Sequence, residues 1–306
     1  MVERREFLKA GIAASAAVVA LGASEGKIAQ AEDLKSDFKL KYAPHFGMFE
    51  NSAGPDLLDQ LRFMADHGFM ALEDNGMRLR PVEVQDAIAR EMTRLDMEMG
   101  VFVANADFGR VTFASNDPEM REFLKAEMHD SVEVGKRVNA KWCTVVPGLY
   151  DRGMEWDYQT TILIDNLKFC AEICEETGLI MVLEPLNALV DIPGVFLTKI
   201  AQAYMICKAV NHPCCKILID LYHQQITEGN LIPNIDMAWD EIPYFQVGDN
   251  PGRKEPTTGE INYRNIFKHL HNKGYTGVVG MEHGKAMGGI EGEKALIRAY
   301  QYCDDF

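Results

Sequence analysis

The chain is short of positive charge. It has 31 lysines and arginines against 46 aspartates and glutamates, a net charge of −15. Displacing counterions from nucleic-acid phosphate needs a cationic face, and an anionic membrane surface asks for the same. Neither partner fits, although one local cation could still hold a small anionic substrate. Spaced cysteine pairs are also missing. The seven cysteines, Cys143, Cys170, Cys174, Cys207, Cys214, Cys215 and Cys303, form no CxxC motif. That excludes a zinc ribbon and argues against a disulfide framework, so free buried thiols are expected. No Gly-x-Gly-x-x-Gly follows the first strand candidate, which removes the usual signature of a dinucleotide fold. No low-complexity linker interrupts the chain beyond its N-terminal segment.

The N-terminus reads as an address. Arg4-Arg5 with Phe7-Leu8-Lys9 is followed by an apolar, alanine-rich run over 10–22 and then Ala29-Gln30-Ala31. A positive start, a short apolar stretch and a small-x-small exit make a secretory signal, and the run is too short to span a bilayer. The paired arginines resemble a twin-arginine signal, with Glu3 where a serine or threonine is usual. The reading is a signal over 1–31, recognised by the twin-arginine translocase, and a mature domain over 32–306 outside the cytoplasm, in the periplasm. No membrane attachment is expected after cleavage. That route carries folded cargo, so a metalloenzyme could acquire its metal before export.

Hydrophobic residues make up 47% of the chain, enough for a large core. Strand candidates fall at 40–46, 69–73, 100–104, 142–146, 179–184, 216–220, 244–247 and 277–282. Helix candidates lie between them, near 56–67, 82–98, 118–138, 157–177, 198–211, 234–240, 262–273 and 291–303. Asn116-Asp117-Pro118 makes a cap with proline in the first turn, and Gly68, Gly178 and Gly274 stand where helices should stop. Alternating strands and helices predict a parallel sheet, and eight of them close a (β/α)8 TIM barrel. A single barrel domain is expected, with a doubly wound sheet as the alternative.

In such a barrel the active site lies at the C-terminal ends of the strands. Strands five to eight end in Glu184, Asp220, Gln246 and Glu282. A lone glutamate there is more often a helix cap or a surface residue. Four oxygen donors on consecutive strands are harder to ascribe to chance. Three carboxylates and an amide oxygen suit Mg²⁺ or Mn²⁺ better than a closed zinc cage. His223 can face the same mouth or be a hydrogen-bonded structural histidine. Arg253 can grip a substrate carboxylate or hydroxyls, or merely be solvated. Glu260 can orient groups behind the ligands or cap the next helix.

Several strings resemble hydroxypyruvate isomerases, within the xylose-isomerase-like (sugar phosphate isomerase/epimerase) barrel superfamily. They are Leu183-Glu184-Pro185-Leu186-Asn187, Asp191-Ile192-Pro193-Gly194, Asp220-Leu221-Tyr222-His223, the stretch from Gln246 through Arg253 to Tyr263, and Gly280-Met281-Glu282. The resemblance implies that Glu184, Asp220, Gln246 and Glu282 bind the metal and that Glu184 and Glu282 move the proton. It implies an intramolecular oxidoreductase of carbohydrate metabolism acting on a small hydroxy-keto acid or sugar through an enediolate. The first half of the barrel departs from the family. Val103-Ala104-Asn105 lacks an expected histidine, and His283 replaces a tyrosine expected to shape the substrate end of the pocket. A ketose 3-epimerase would carry a further glutamate where Val190 stands. A periplasmic lyase or epimerase on keto-sugars, a non-catalytic sugar-binding barrel and a homo-oligomer remain open alternatives. The endonuclease branch needs zinc-binding histidines and a cationic groove, which this composition does not favour.

Overall fold

The chain's computed structural model describes residues 34–306. The signal expected over 1–31 lies outside those residues. Among the described residues nine short strands form: β1 Lys41–Ala43, β2 Ala71–Leu72, β3 Glu98–Met99, β4 Val103–Ala106, β5 Trp142–Val146, β6 Ile180–Leu183, β7 Cys215–Asp220, β8 Tyr244–Gln246 and β9 Val278–Gly280. Every strand pairing is parallel. One sheet runs in the order β1-β9-β8-β7-β6-β5-β4, and β2 pairs with β3.

Backbone bonds join these two sheets into a ring. His45 bridges Glu73, and the Glu73 amide donates to the Pro44 carbonyl at 3.0 Å. On the other side, Gly100 N–H donates to Leu72 O at 2.7 Å and Thr144 N–H to Phe102 O at 2.8 Å. β3 and β4 are therefore two halves of one barrel strand, and the barrel has eight. The interruption has a side-chain cause. The Tyr244 hydroxyl reaches across the interior and accepts from the Val101 amide at 3.3 Å, and a Cβ on Gly100 would collide with it.

Side chains alternate across a strand, so every second residue points inward. A buried apolar cluster of Ala43, Ala71, Val101, Trp142, Val182, Leu218, Tyr244 and Val278 takes one residue from each barrel strand and plugs the interior. Two positions further along each strand come His45, Glu73, Val103, Thr144, Glu184, Asp220, Gln246 and Gly280. The floor of the mouth is thus mostly polar because the inward positions change character after the plug. The outward positions, among them Val145, Leu183, Ile219, Phe245 and Val279, join a larger cluster under the helices.

The helices are α1 Glu50–Ala53, α2 Leu57–Asp66, α3 Val82–Leu95, α4 Pro118–Val138, α5 Trp156–Glu175, α6 Ile200–Val210, α7 Leu221–Thr227, α8 Leu231–Ala238, α9 Tyr263–Asn272 and α10 Gly289–Asp304. Asp117 caps α4, accepting from the Glu119 amide, with Pro118 in the first turn as expected. Gly68, Gly178 and Gly274 have positive φ beyond the ends of α2, α5 and α9. The helix expected at 234–240 is present as α8, which starts three residues earlier and runs into a 3-10 turn at Trp239–Glu241, and an unexpected α7 precedes it. α7 starts directly from β7 because Asp220 Oδ1 caps it, accepting from the Tyr222 amide at 2.9 Å. Its residues Leu221 to Gln224 are all buried, so no polar face shows in the sequence. Among the described residues no helix is long and apolar enough to cross a membrane.

Candidate active site

The strand-end residues meet in the barrel mouth. Glu184 and Asp220 are buried, and Glu282 keeps 25% of its side chain exposed at the rim. Arg253 Nη2 donates to Asp220 Oδ2 and to Glu282 Oε2, both at 2.8 Å. One guanidinium thus ties strand ends that the sequence separates by 62 residues, from Asp220 to Glu282. Glu184, Asp220 and His223 each bring one ligand-type atom within 4.8 Å of the others.

His223 acts here as a donor. Asn187 Oδ1 accepts from the amides of Val190 and Asp191, which fixes its amide orientation. Its Nδ2 then faces His223 Nδ1 at 2.7 Å, so Nδ1 accepts and Nε2 carries the hydrogen. Nε2 lies 3.4 Å from Asp220 Oδ2 and 3.9 Å from Glu184 Oε1. Burial lowers the imidazole to about 4, so it stays neutral near pH 7. A protonated Nε2 can hydrogen-bond a substrate oxygen but cannot ligate a metal.

The strand-end rule, applied above to strands five to eight, holds for strand two as well. Glu73 closes that strand and is 1% exposed. It accepts from Gln246 Nε2 and from the Tyr244 hydroxyl, each at 2.9 Å. A Cβ on Gly280 would collide with its carboxylate, so glycine is required opposite it. The same rule would have found it in the sequence. Asn75, two positions on, donates to Glu282 Oε1 at 3.0 Å and gave no comparable signal.

Four carboxyls, those of Glu73, Glu184, Asp220 and Glu282, therefore share one arginine. Burial raises Glu184 well above the carboxylate range, and the charges of Glu282 and Asp220 raise it further. Burial raises Glu282 to about 7, with Arg253 working against the rise. Like charges held this close favour either protons or a cation. Gln246 supplies an independent observation. Its amide hydrogens serve Glu73, while its buried Oε1 has no hydrogen-bond partner. Buried acceptors are rarely left so. An oxygen-seeking divalent cation fits Gln246 Oε1 with Glu184, Asp220 and Glu282.

Arg253 sits in a loop built around Asp249, which is fully buried. The Asp249 carboxylate accepts from the amides of Asn250, Gly259 and Ile261. Arg253 has φ of 51°, a conformation most side chains avoid, and its guanidinium lies 5.0 Å from the Tyr222 ring. Glu260 stands apart from the cluster. It is exposed and accepts from Asn250 Nδ2 at 2.7 Å and Gln225 Nε2 at 3.2 Å, clasping this loop to α7. His283 also differs from expectation. It faces outward and contacts the Tyr300 hydroxyl at 2.8 Å behind the strand, not the pocket.

Known proteins share this arrangement of chain. The sequence matches the family described as Xylose isomerase-like TIM barrel over residues 61–302. It is 34% identical to the hydroxypyruvate isomerase of Escherichia coli (strain K12) over 183 residues, which is 59% of this chain and 68% of that protein. It is 28% identical to the 2-oxo-tetronate isomerase of Pectobacterium atrosepticum over 233 residues, 74% of this chain and 86% of that one. A solved structure titled AP endonuclease, family 2, from Brucella melitensis superposes with a TM-score of 0.72 at 24% identity, covering 85% of this chain and 99% of that one. That likeness speaks to the fold alone. With its eight-stranded barrel and polar mouth, the chain belongs to the xylose isomerase-like TIM barrel family, in the hydroxypyruvate isomerase group.

Proposed function

We propose that the chain is a divalent-metal-dependent isomerase that moves a proton between adjacent carbons of a small hydroxy-keto acid or sugar. The observation that carries the metal dependence is the unpartnered Gln246 Oε1 among carboxyls that outnumber their single arginine. Glu184, Asp220, Gln246 and Glu282 would hold the cation. When bound, it supplies a Lewis acid that stabilises negative charge on neighbouring substrate oxygens.

Glu184 and Glu282 do the proton work. They rise from different strands, so they can reach the reacting carbons from two sides. Glu282 is raised to about 7, where a carboxyl can both take and return a proton near neutrality. The two titrate together, so the roles belong to the pair. His223 offers its Nε2 hydrogen to a substrate oxygen. Arg253, with an unpartnered Nε, holds Asp220 and Glu282 and has a face left for an anionic substrate. Val190 is 65% exposed in the loop after β6, so the extra glutamate of a ketose 3-epimerase has no counterpart there. This favours isomerisation over 3-epimerisation.

The test is deuterium exchange from D₂O into the hydroxylated carbon of hydroxypyruvate and longer keto acids. Exchange should require Mn²⁺ or Mg²⁺ and stop on chelation. Exchange that continues at full rate after metal removal would sink the metal-dependent reading. We also propose export by the twin-arginine route, on the strength of Arg4-Arg5 and Ala29-Gln30-Ala31. Arg4→Lys with Arg5→Lys should retain the protein in the cytoplasm, and the exported form should begin near Glu32.

A further inference from the structure

Of the four proposed ligands Glu282 is the most exposed, yet both of its oxygens are held. Arg253 takes Oε2, and Asn75 Nδ2 donates to Oε1 at 3.0 Å. A reversed Asn75 amide would set oxygen against oxygen, so the nitrogen faces the carboxylate. The other end of that amide is unused: Asn75 Oδ1 is buried without a hydrogen-bond partner. Asn187 and Gln246 differ in this respect. The amides of Val190 and Asp191 lock the first, and Glu73 locks the second.

The backbone under Asn75 is fixed from both sides. Its carbonyl accepts from the Val103 amide of β4 at 3.3 Å, and the preceding Asp74 amide donates to Val101 O at 3.3 Å. Asp74 then closes a turn. Its Oδ1 accepts from the Gly76 amide at 3.2 Å, its carbonyl accepts from the Met77 amide at 3.0 Å, and Arg80 holds its carboxylate. Arg80 in turn lies over the Phe46 ring, 5.0 Å from its centre. Asn75 therefore presents its amide from a braced platform. A side chain kept for packing alone would be better apolar, since an unmet buried acceptor costs stability. What the amide gains is its contact with Glu282. Two residues earlier, Glu73 does the same for the Gln246 amide.

We propose that Asn75 is a positioning residue that holds the Glu282 carboxylate at the angle its proton transfer needs. This rests on the isomerase reading for what Glu282 does, and adds which group aims it. A glutamate side chain at a rim is flexible, and Arg253 alone leaves the carboxylate free to pivot about Oε2. A second contact on Oε1, from a different strand, removes that freedom. Small misplacements of a reacting group are costly, which is why the aim matters. Glu73 and Asn75 stand outside the proposed ligand set, yet the chain after β2 sets two of its members, Gln246 and Glu282.

The test uses the full chain with Asn75→Leu, which keeps the bulk and removes the donor, and Asn75→Asp, which keeps the shape and turns the donor into an acceptor. Crystal structures of the metal-free variants are compared with wild type. Tm, Mn²⁺ affinity and deuterium exchange on hydroxypyruvate and 2-oxo-tetronate at saturating Mn²⁺ are measured alongside. Glu282 Oε1 should leave its position in both variants, with the contact between Gln246 and Glu73 unchanged. Removing such a supporting partner costs about 10–100-fold, and the loss should fall on kcat, with KM within about twofold. Mn²⁺ affinity should drop less than kcat, because Glu184, Asp220 and Gln246 remain. Should Asn75→Leu fail to fold, Asn75→Asp carries the same comparison. A Glu282 carboxylate that stays in place without the Asn75 donor, or a kcat within about twofold of wild type, would overturn the positioning role and leave the isomerase standing. Losses shared equally among kcat, KM and Tm would also overturn it, as the mark of damaged packing. Absence of exchange in the wild type would sink the isomerase reading instead. A Glu282 displaced in the variants would then still support Asn75 as the residue that positions it, and an undisplaced one would overturn that too.

Discussion

At the scale of single residues, the proposed site divides into groups that would do chemistry and groups that would aim them. Glu282→Gln keeps an oxygen donor of the same shape and removes the base. Turnover and deuterium exchange at saturating Mn²⁺ should fall by about 10²–10⁴-fold, while Mn²⁺ affinity falls less. Near-full exchange with metal bound would exclude the two-glutamate mechanism. Arg253→Ala should raise KM before it lowers kcat. Glu73 calls for a different pair of changes. Its carboxyl is pushed well up, first by burial and then by Glu282, so a neutral amide should imitate it. Glu73→Gln should therefore leave Mn²⁺ binding within a few-fold. Glu73→Leu frees the Gln246 amide to rotate, and removing such a supporting partner typically costs about 10–100-fold in metal affinity. Titration of both variants with Mn²⁺ decides between an aiming role and mere packing. The strand-end oxygens of strands five to eight were legible because each closes an apolar run. The donor role of His223 was not, because it depends on Asn187, 36 positions away, and on two backbone amides that fix the Asn187 side chain.

At the scale of elements, periodicity located all eight barrel strands and most of the helices. Its failures have local causes. The third strand is broken by a tyrosine hydroxyl arriving from the far side of the barrel, a contact no window of sequence contains. α7 was missed because it is short and its first four residues are all buried, polar and apolar alike. The broken strand is braced at its start, where Glu98 pairs with Lys41 at 2.6 Å and with Lys141. Burial works to raise the Glu98 carboxyl, but the two lysines outweigh it and hold it below the usual range. A depressed folded-state pKa gives stability that is present above the ordinary carboxylate value and lost as pH falls through the depressed one. Glu98→Gln should cost at most about 1 kcal/mol at pH 7, since the lysines are partly exposed. In denaturant melts the difference from wild type should shrink as pH falls below about 4. A constant difference across that range would show that packing, not charge, is at work.

At the scale of the whole molecule, the proposed cation would relieve crowded acidic groups, so the apo barrel should be less stable than the loaded one. Ligand at 100 times its dissociation constant adds about 2.7 kcal/mol to a fold that alone binds it. Mn²⁺ should therefore raise Tm by several degrees, chelation should reverse the rise, and Asp220→Asn should blunt it. A Tm indifferent to Mn²⁺ would mean that the folded mouth holds no cation. The proposed export signal over 1–31 lies outside the described residues, and a receptor-read address would leave no mark on the barrel.

All seven cysteines are free and buried. Burial lifts the thiols of Cys174 and Cys303 to about 12, far from the reactive thiolate. The native barrel should therefore react slowly with alkylating reagents, and molecules that have opened should be tagged first. A brief pulse of a maleimide followed by mass spectrometry would sort a crude extract into untagged and fully tagged chains. The protein carries its own counter of unfolding, with no dye or fusion required.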